Sequence, residues 1–325
     1  MESTSTTHIQ STPARPRTMC ILVHTSDAGD AGLRAAVHQM RTAGHTVAVR
    51  VTWELEDIPR YIAEARHAEA DVIVAAGGDG SIHHVVNGLL RAAAEPCAIS
   101  IIPMGTGNDF ASCCNFDPQD AASALALAAS GTPVPVDVIT IGDRAVLNMV
   151  TGGPGTQITA RTPSGLKQLL GKAAYALTGV GHLVSLKAEQ ITLHGPEFTW
   201  EGACYAVAIG NGRQAGGGMQ LCPRALLDDG LLDVLVVPEM PQAKFLPLLA
   251  SIRRGTHLEH EDIIYRQLPW VELSVPQPMQ LNLDGEPHEV HTARLIVQPR
   301  WLPMYLPPQA PLVSHLAANC RAQTL

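Results

Sequence analysis

The stretch AAGGDGSIHHVVNGLL, residues 75–90, carries two periods back to back. It opens on the end of a short apolar run, VIVAA (72–76), whose length and β-branched content suit a buried strand. Gly77, Gly78, Asp79 and Gly80 follow at once, and then Ile82, Val85, Val86, Leu89 and Leu90 fall on one face of a helix. A strand, Gly-rich turn and helix bring unpaired backbone N–H groups and the positive end of a helix dipole to one point, and glycines let a phosphate approach the main chain. Asp79 adds a carboxylate of the kind that Mg²⁺ on such phosphates takes as a ligand. A plain strand-to-helix turn with Asp79 or Ser81 as N-cap fits the same residues. The stretch is neither a G-x-G-x-x-G nor a Walker A sequence and no Lys follows it, which disfavours a dinucleotide dehydrogenase and a P-loop NTPase.

Outward from this unit the pattern repeats. MCILVH (19–24), HTVAVRV (45–51) and AISIIP (98–103) read as further strands, and Leu33, Val37 and Met40 lie between the first two at helical spacing. Strands alternating with helices predict βαβ units, so the chain to about residue 140 is expected to be a doubly wound α/β domain. After about Pro135 come VDVITI (136–141), AVLNMV (145–150), CYAVAIG (204–210), LLDVLVV (231–237), QLNLDGE (280–286) and ARLIVQ (293–298), separated by Gly-rich joints. This texture predicts an antiparallel β-sandwich domain, interrupted by helix near 164–186 and 241–254. Residues 1–18, Ser/Thr-rich and without an apolar h-region, read as a disordered tail, and 303–311 as Pro-punctuated loop.

Composition bounds the rest. At 325 residues the chain is about twice the length of a typical domain, and 46% apolar against 16% charged residues allow large cores. The 28 glycines and 24 prolines exceed the average share of roughly 12%, which points to many tight turns. A net charge of −8 is the opposite of a nucleic-acid binder's footprint. No apolar stretch approaches the roughly 18–20 residues of a membrane span, so a soluble protein without a transmembrane segment is expected. Seven cysteines without a C-x-x-C pair read as reduced thiols, which fits a reducing cytoplasm, and the neighbours Cys113 and Cys114 as buried small hydrophobes rather than a redox device.

Three more segments carry candidate chemistry. IIPMGTGNDFA (101–111) sets a second flexible loop, Gly105 to Asp109, at the carboxyl end of a neighbouring strand, where open α/β sheets bind ligands. GNGRQAGGGMQLCPRALLDDGLLDV (210–234) flanks Arg213 with glycines and ends on Asp228-Asp229-Gly230, which suits either a hard cation such as Mg²⁺ or Ca²⁺ or an ordinary Asp-Gly turn. LNLDGEPHE (281–289) presents Asp284 and Glu286 at a strand end; a carboxylate there can take a proton from an attacking hydroxyl, or the segment is a simple turn.

In this order and at these separations the segments resemble the diacylglycerol-kinase-like lipid kinase family, from about Met19 to Pro308. VTWE (51–54), GGDG (77–80), PMGTGNDFA (103–111), TGGPGTQIT (151–159), GNGRQAGGGMQLCP (210–223), DDGLLDV (228–234) and NLDGEP (282–287) carry the resemblance. It implies transfer of the γ-phosphate of ATP to a lipid hydroxyl in a cleft between an α/β domain (19–140, joined by 288–308) and a sandwich domain (141–287), with 309–325 as a tail. It further implies that Thr52, the loop Gly78, Asp79, Gly80, Ser81, Ile82, His83 and His84, and Thr106 contact ATP. Glu286 would be the proton acceptor with Asp284 beside it, and Asp229 with the main-chain oxygens of Leu226 and Leu231 would hold a structural Mg²⁺. Two departures stand out. The family commonly has Asn-Glu where this chain has His83 and His84, and its early Asn is replaced by His24.

A membrane lipid as substrate requires contact with a bilayer. Between Asp143 and Glu189 there is no acidic residue, yet Arg144, Arg161, Lys167, Lys172 and Lys187 lie there, and Leu166, Leu169, Leu170, Ala173, Ala174 and Leu177 recur at helical spacing. Such a helix suits an anionic lipid surface or, alternatively, packs against the core. An NAD-kinase-type small-molecule kinase shares the GGDG loop, and a catalytically silent lipid or nucleotide sensor is the third reading, raised by His83 and His84.

Overall fold

The computed structural model describes residues 15–92, 97–154 and 187–314. Residues 1–14 and 315–325 of the expected tails, and the expected basic helix near 164–186, lie outside the described residues; within the expected C-terminal tail, Ala310, Leu312 and Val313 are buried.

The apolar runs of the first part become a parallel sheet in the order β4-β3-β1-β2: β1 (Thr18–His24), β2 (Thr46–Thr52), β3 (Val72–Gly77) and β4 (Ala98–Pro103). Alternate residues of each strand serve opposite faces, as the pleat requires. Cys20, Leu22, Ile73, Ala75, Ile99 and Ile101 pack with helices α2 (Asp57–His67) and α3 (Asp79–Arg91). Met19, Ile21, Val23, Val72, Val74 and Ala76 pack with α1 (Ala31–Thr42) and α5 (Ala121–Ser130). A short helix, α4 (Asp109–Cys113), follows β4 directly. The carboxylates of Asp30 and Asp120 cap α1 and α5 by accepting from Leu33 N and Ser123 N.

The second part is antiparallel: β5 (Val134–Ile141), β6 (Arg144–Val146), β7 (Met149–Gly152), β8 (Glu189–Gly195), β9 (Phe198–Gly210), β10 (Leu232–Pro238), β11 (Ile264–Leu268), β12 (Trp270–Leu283) and β13 (Glu286–Met304). Its main core gathers Ile139, Val150, Ile191, Leu193, Val207, Ile209, Val234, Leu273, Leu281 and Leu295. A further apolar layer lies beneath α6 (Gln242–Arg254), with Leu248 and Ile252 turned inward. The expected single strand over 145–150 is two, β6 and β7. The backbone turns aside at Leu147 and Asn148 because their N–H groups, with that of Met149, point at the carboxylate of Asp284.

Strand β13 joins the two halves. Val290, Ala293, Leu295 and Val297 belong to the sandwich core, whereas Leu302, Met304, Leu306, Ala310, Leu312 and Val313 belong to the α/β core. The chain changes core at Arg300, which adopts φ 52° and whose N–H donates to buried Asp137. The returning stretch thus enters the first core after Val297, and its packed side chains run on to Val313. Met304 pairs with Ile99 of β4, so the two halves share one continuous set of strands. The six described cysteines are all free, and burial raises the pKa values of the Cys113 and Cys114 thiols, to about 11 for Cys113.

Candidate active site

The two glycine loops of the parallel sheet meet backbone to backbone. β3 and β4 are neighbours in register Gly77↔Pro103, so the loops after them emerge side by side. A Cβ on Gly105 would lie 2.5 Å from the Cα of Gly78, and a Cβ on Gly77 would lie 2.3 Å from Ser81 Oγ. Neither distance is tolerable, so these glycines are required for close approach rather than for unusual φ. Asn108, at φ 51°, closes the second loop through both ends of its amide: Gly105 N donates to Oδ1 at 3.0 Å and Nδ2 donates to Gly105 O at 2.7 Å.

Asp79 sits between the loops. Its Oδ2 accepts from Asp109 N at 3.1 Å and its Oδ1 from Phe110 N at 3.2 Å, so it holds the start of α4. Burial raises its pKa against those two N–H groups, with Asp109 and Asp284 adding repulsion. Asp109 in turn accepts from Gly217 N and Gly218 N, both at 2.9 Å, and ties the Gly-rich loop of the sandwich domain to the same place. Gly78 caps α3 without a side-chain hydrogen bond, so the first turn of α3 offers its N–H groups to the space in front of it.

Facing that turn is the hairpin between β12 and β13. Asp284 (φ 52°) and Gly285 (φ 109°) both have positive φ, the signature of a two-residue hairpin turn. The carboxylate of Asp284 accepts from Leu147 N at 2.8 Å, Asn148 N at 3.1 Å and Met149 N at 2.8 Å. His83 Nδ1 lies 3.4 Å from its Oδ2. Asn87 holds the same turn: its Oδ1 accepts from Ala145 N at 2.9 Å, its Nδ2 donates to the carbonyls of His83 at 2.9 Å and Ala145 at 2.8 Å, and His83 Nε2 lies 3.2 Å from that Nδ2. An ionised Asp284 can only accept, so the ring hydrogen of His83 that faces it lies on Nδ1. Asp284 is thus committed to holding the turn. Glu286, two residues on, stays half-exposed at 39%, with Oε1 3.6 Å from His84 Nε2. Burial lowers the His84 pKa, only partly opposed by Glu286, so the imidazole is neutral at pH 7.

Beside these groups lies a pocket of about 230 Å³ lined by Leu22, His24, Thr52, Trp53, Glu54, Leu55, Ile58, Ser81, His84 and Val85. Thr52, Ser81 and His84 are therefore brought to one cavity, while Gly78, Asp79, Gly80 and Thr106 form its neighbouring loops. Ile82 is buried in the α/β core, 2% exposed, and reaches this space only through its backbone. Trp53, within VTWE, is 76% exposed and Leu55, just after it, 57%, an apolar rim on the pocket that no periodicity singles out.

The expected cation site is separate. Asp229 Oδ1 accepts from Leu231 N at 3.0 Å, Asp137 accepts from Gly230 N at 2.7 Å, and Asp228 holds Ser314. Burial raises the Asp229 pKa, with repulsion from Asp137 and Asp228 adding to it. Mutual repulsion of carboxylates at this turn and its oxygen donors suit a hard cation. Among the described residues, however, no three His, Cys, Asp or Glu side chains gather as a metal cluster, so main-chain oxygens such as those of Leu226 and Leu231 would have to complete a site. Arg213 does not face this turn or the cleft; its guanidinium donates to the carbonyls of Ala225 and Pro311.

Fold and site together define a two-domain kinase of the diacylglycerol kinase type. Residues 19–141 match the diacylglycerol kinase catalytic domain, and residues 149–306 match the YegS C-terminal NAD kinase beta sandwich-like domain. The chain is 42% identical over 307 residues to a protein of Pectobacterium atrosepticum named "Probable lipid kinase YegS-like", covering 92% of this chain and 98% of that one. A relative of the same name from Pseudomonas putida is 42% identical over 299 residues. The crystal structure of a diacylglycerol kinase from Bacillus anthracis superposes with a TM-score of 0.73 at 23% identity, over 90% of this chain and 97% of that one, a likeness of fold. The chain belongs to the YegS-like lipid kinase family. No helix among the described residues is long and apolar enough to cross a membrane.

Proposed function

We propose that the protein transfers the γ-phosphate of ATP to a hydroxyl group of a lipid, with Glu286 as the proton acceptor. The observation that carries this reading is the meeting of three elements at one cleft: the open N-terminal turn of α3, the glycine loop before α4, and the hairpin turn that presents Glu286 beside His84. Phosphoryl transfer asks the protein chiefly to position phosphates, offset their charge and accept one proton, and these elements supply those parts. Thr52 and Ser81 would line the nucleoside side of the site, and His84 its border with the hairpin that carries Glu286. Backbone N–H groups of Gly78 to Ser81 and the Thr106 loop would meet the phosphates. Glu286, half-exposed and without a backbone donor to its carboxylate among the described residues, takes the hydroxyl proton; Asp284, whose oxygens are filled, sets the turn on which Glu286 stands.

Mg²⁺ would enter in two ways. Bound with ATP it neutralises phosphate charge, with Asp79 the nearest carboxylate of the loop. A second ion, Mg²⁺ or Ca²⁺, at Asp229 and the carbonyls of Leu226 and Leu231 would brace the 226–231 turn. The lipid surface itself would supply the substrate, in keeping with the family's name.

The test is radiolabelled ATP and Mg²⁺ with mixed micelles of a total lipid extract, run beside NAD as acceptor. Label in a lipid product, lost by about 100-fold or more in Glu286→Gln, is the expected result, since general bases contribute roughly 10²–10⁴-fold. Label in NADP, or full activity in Glu286→Gln, would overturn the reading.

A further inference from the structure

The second turn of α3 places two histidines against the two carboxylates of the β12–β13 turn. His83 and His84 meet edge to face, with ring centroids 5.4 Å apart, and each faces a different carboxylate. His83 is 3% exposed, engaged by Asn87 on one side and facing Asp284 on the other. His84 points the other way, into the space between the pocket and the hairpin, and its Nε2 faces Glu286 Oε1 at 3.6 Å. That is beyond hydrogen-bond length, but Glu286 is half-exposed and its side chain has rotamer freedom, and catalytic hydrogen bonds commonly tighten once substrate is bound. No other described side chain contacts the Glu286 carboxylate within ion-pair distance.

We propose that His84 is a positioning residue for Glu286: its Nε2–H holds one carboxylate oxygen, so that the other is aimed at the hydroxyl of the acceptor. This rests on the reading of Glu286 as the proton acceptor. The step balances simply. The hydroxyl proton passes to the free oxygen of Glu286, the hydroxyl oxygen forms its bond to the γ-phosphorus, and the bond from that phosphorus to the bridging oxygen breaks to release ADP. A carboxylate free to rotate presents either oxygen in many directions, and holding one of them restricts the other to a narrow arc. The neutral state of His84 suits this role, because a neutral imidazole with hydrogen on Nε2 donates without pairing off the charge that makes Glu286 a base.

The experiment compares His84→Ala, His84→Gln and His84→Asn with Glu286→Gln and wild type. Label transfer is followed with mixed micelles of a total lipid extract, and binding of a non-hydrolysable ATP analogue with Mg²⁺ by calorimetry. A glutamine side-chain amide reaches the position of a histidine Nε2, whereas an asparagine amide reaches only that of Nδ1. His84→Ala and His84→Asn are therefore expected to lose kcat on the order of 100-fold, the cost of a reacting group misplaced by about 1 Å. His84→Gln should retain kcat within about fivefold, and KM for ATP and analogue affinity should change by less than about threefold in all three. A loss that sits in nucleotide binding, equal loss in His84→Gln and His84→Ala, or undiminished kcat in His84→Ala while Glu286→Gln is inactive would overturn the inference alone. Undiminished transfer in Glu286→Gln would overturn both it and the reading beneath it. Thermal melts identify a variant that fails to fold, and the glutamine variant then still decides by its kcat.

Discussion

Single residues at this site do work that their types alone do not announce. Asp284 and Glu286 are two carboxylates two positions apart, yet one is spent on three backbone N–H groups and the other stands at the cleft. The segment DGE marks a turn with an acid; which acid is free depends on where the 147–149 backbone lies, more than a hundred residues away. Gly105 is the opposite case, where a residue type carries its reason plainly. Gly105→Ala would press a Cβ against the Gly78 backbone, and since backbone cannot swing aside the loops must separate. The expected outcome is a loss of roughly 1–3 kcal/mol in stability by chemical denaturation, as for other overpacked sites, and a loss of ATP-analogue affinity by calorimetry.

At the level of elements, the apolar face of helix α3 was legible: Ile82, Val85, Val86 and Leu89 are buried and Leu90 half-buried as the spacing requires, and its Gly-rich entry packs on the next loop, whereas the burial of His83 and Asn87 was not. Strand β6–β7 was not legible as two pieces, because nothing in AVLNMV says that its middle N–H groups serve a carboxylate from another hairpin. The link from α4 to the sandwich domain was likewise hidden in an Asp that reads as a loop residue. Asp109 accepts from Gly217 and Gly218, so Asp109→Ala would leave those N–H groups without acceptors and free the 213–218 loop. Two charge-assisted hydrogen bonds at roughly 1.5–3 kcal/mol each set the scale of the loss. The expected result is faster amide hydrogen exchange confined to 213–218, with the α/β core strands unchanged.

Across the whole molecule, polar side chains in apolar surroundings join the halves. Asn87 on α3 bridges to Ala145 on β6, and Asp137 on β5 receives the N–H groups of Gly230 and Arg300. The halves should accordingly unfold in one cooperative step. Asp233 adds a pH dependence. Lying in β10 between β9 and β11, it is fully buried with Tyr265 and Gln267 as partners, and burial pushes its pKa up to about 6 from the usual 3.8. A carboxyl whose folded pKa is raised favours the folded state while protonated, so its contribution is full below about pH 4 and is lost as pH rises through 6. Urea melts of wild type should lose stability between pH 4 and 7 relative to Asp233→Asn, whose neutral amide cannot ionise. A difference that is flat across that range would mean Asp233 stays ionised throughout.

The sequence by itself determined the α/β order, the β-rich second part and the family, because these rest on hydrophobic period and on glycines whose absence of a Cβ is local and absolute. It also named the acids and histidines of the cleft. Only the tertiary structure decided how those residues divide their roles. Whether a carboxylate is a base or a brace depends on which backbone N–H groups come within about 3 Å of it, and that distance is set by strands that meet only when the chain returns on itself through β13.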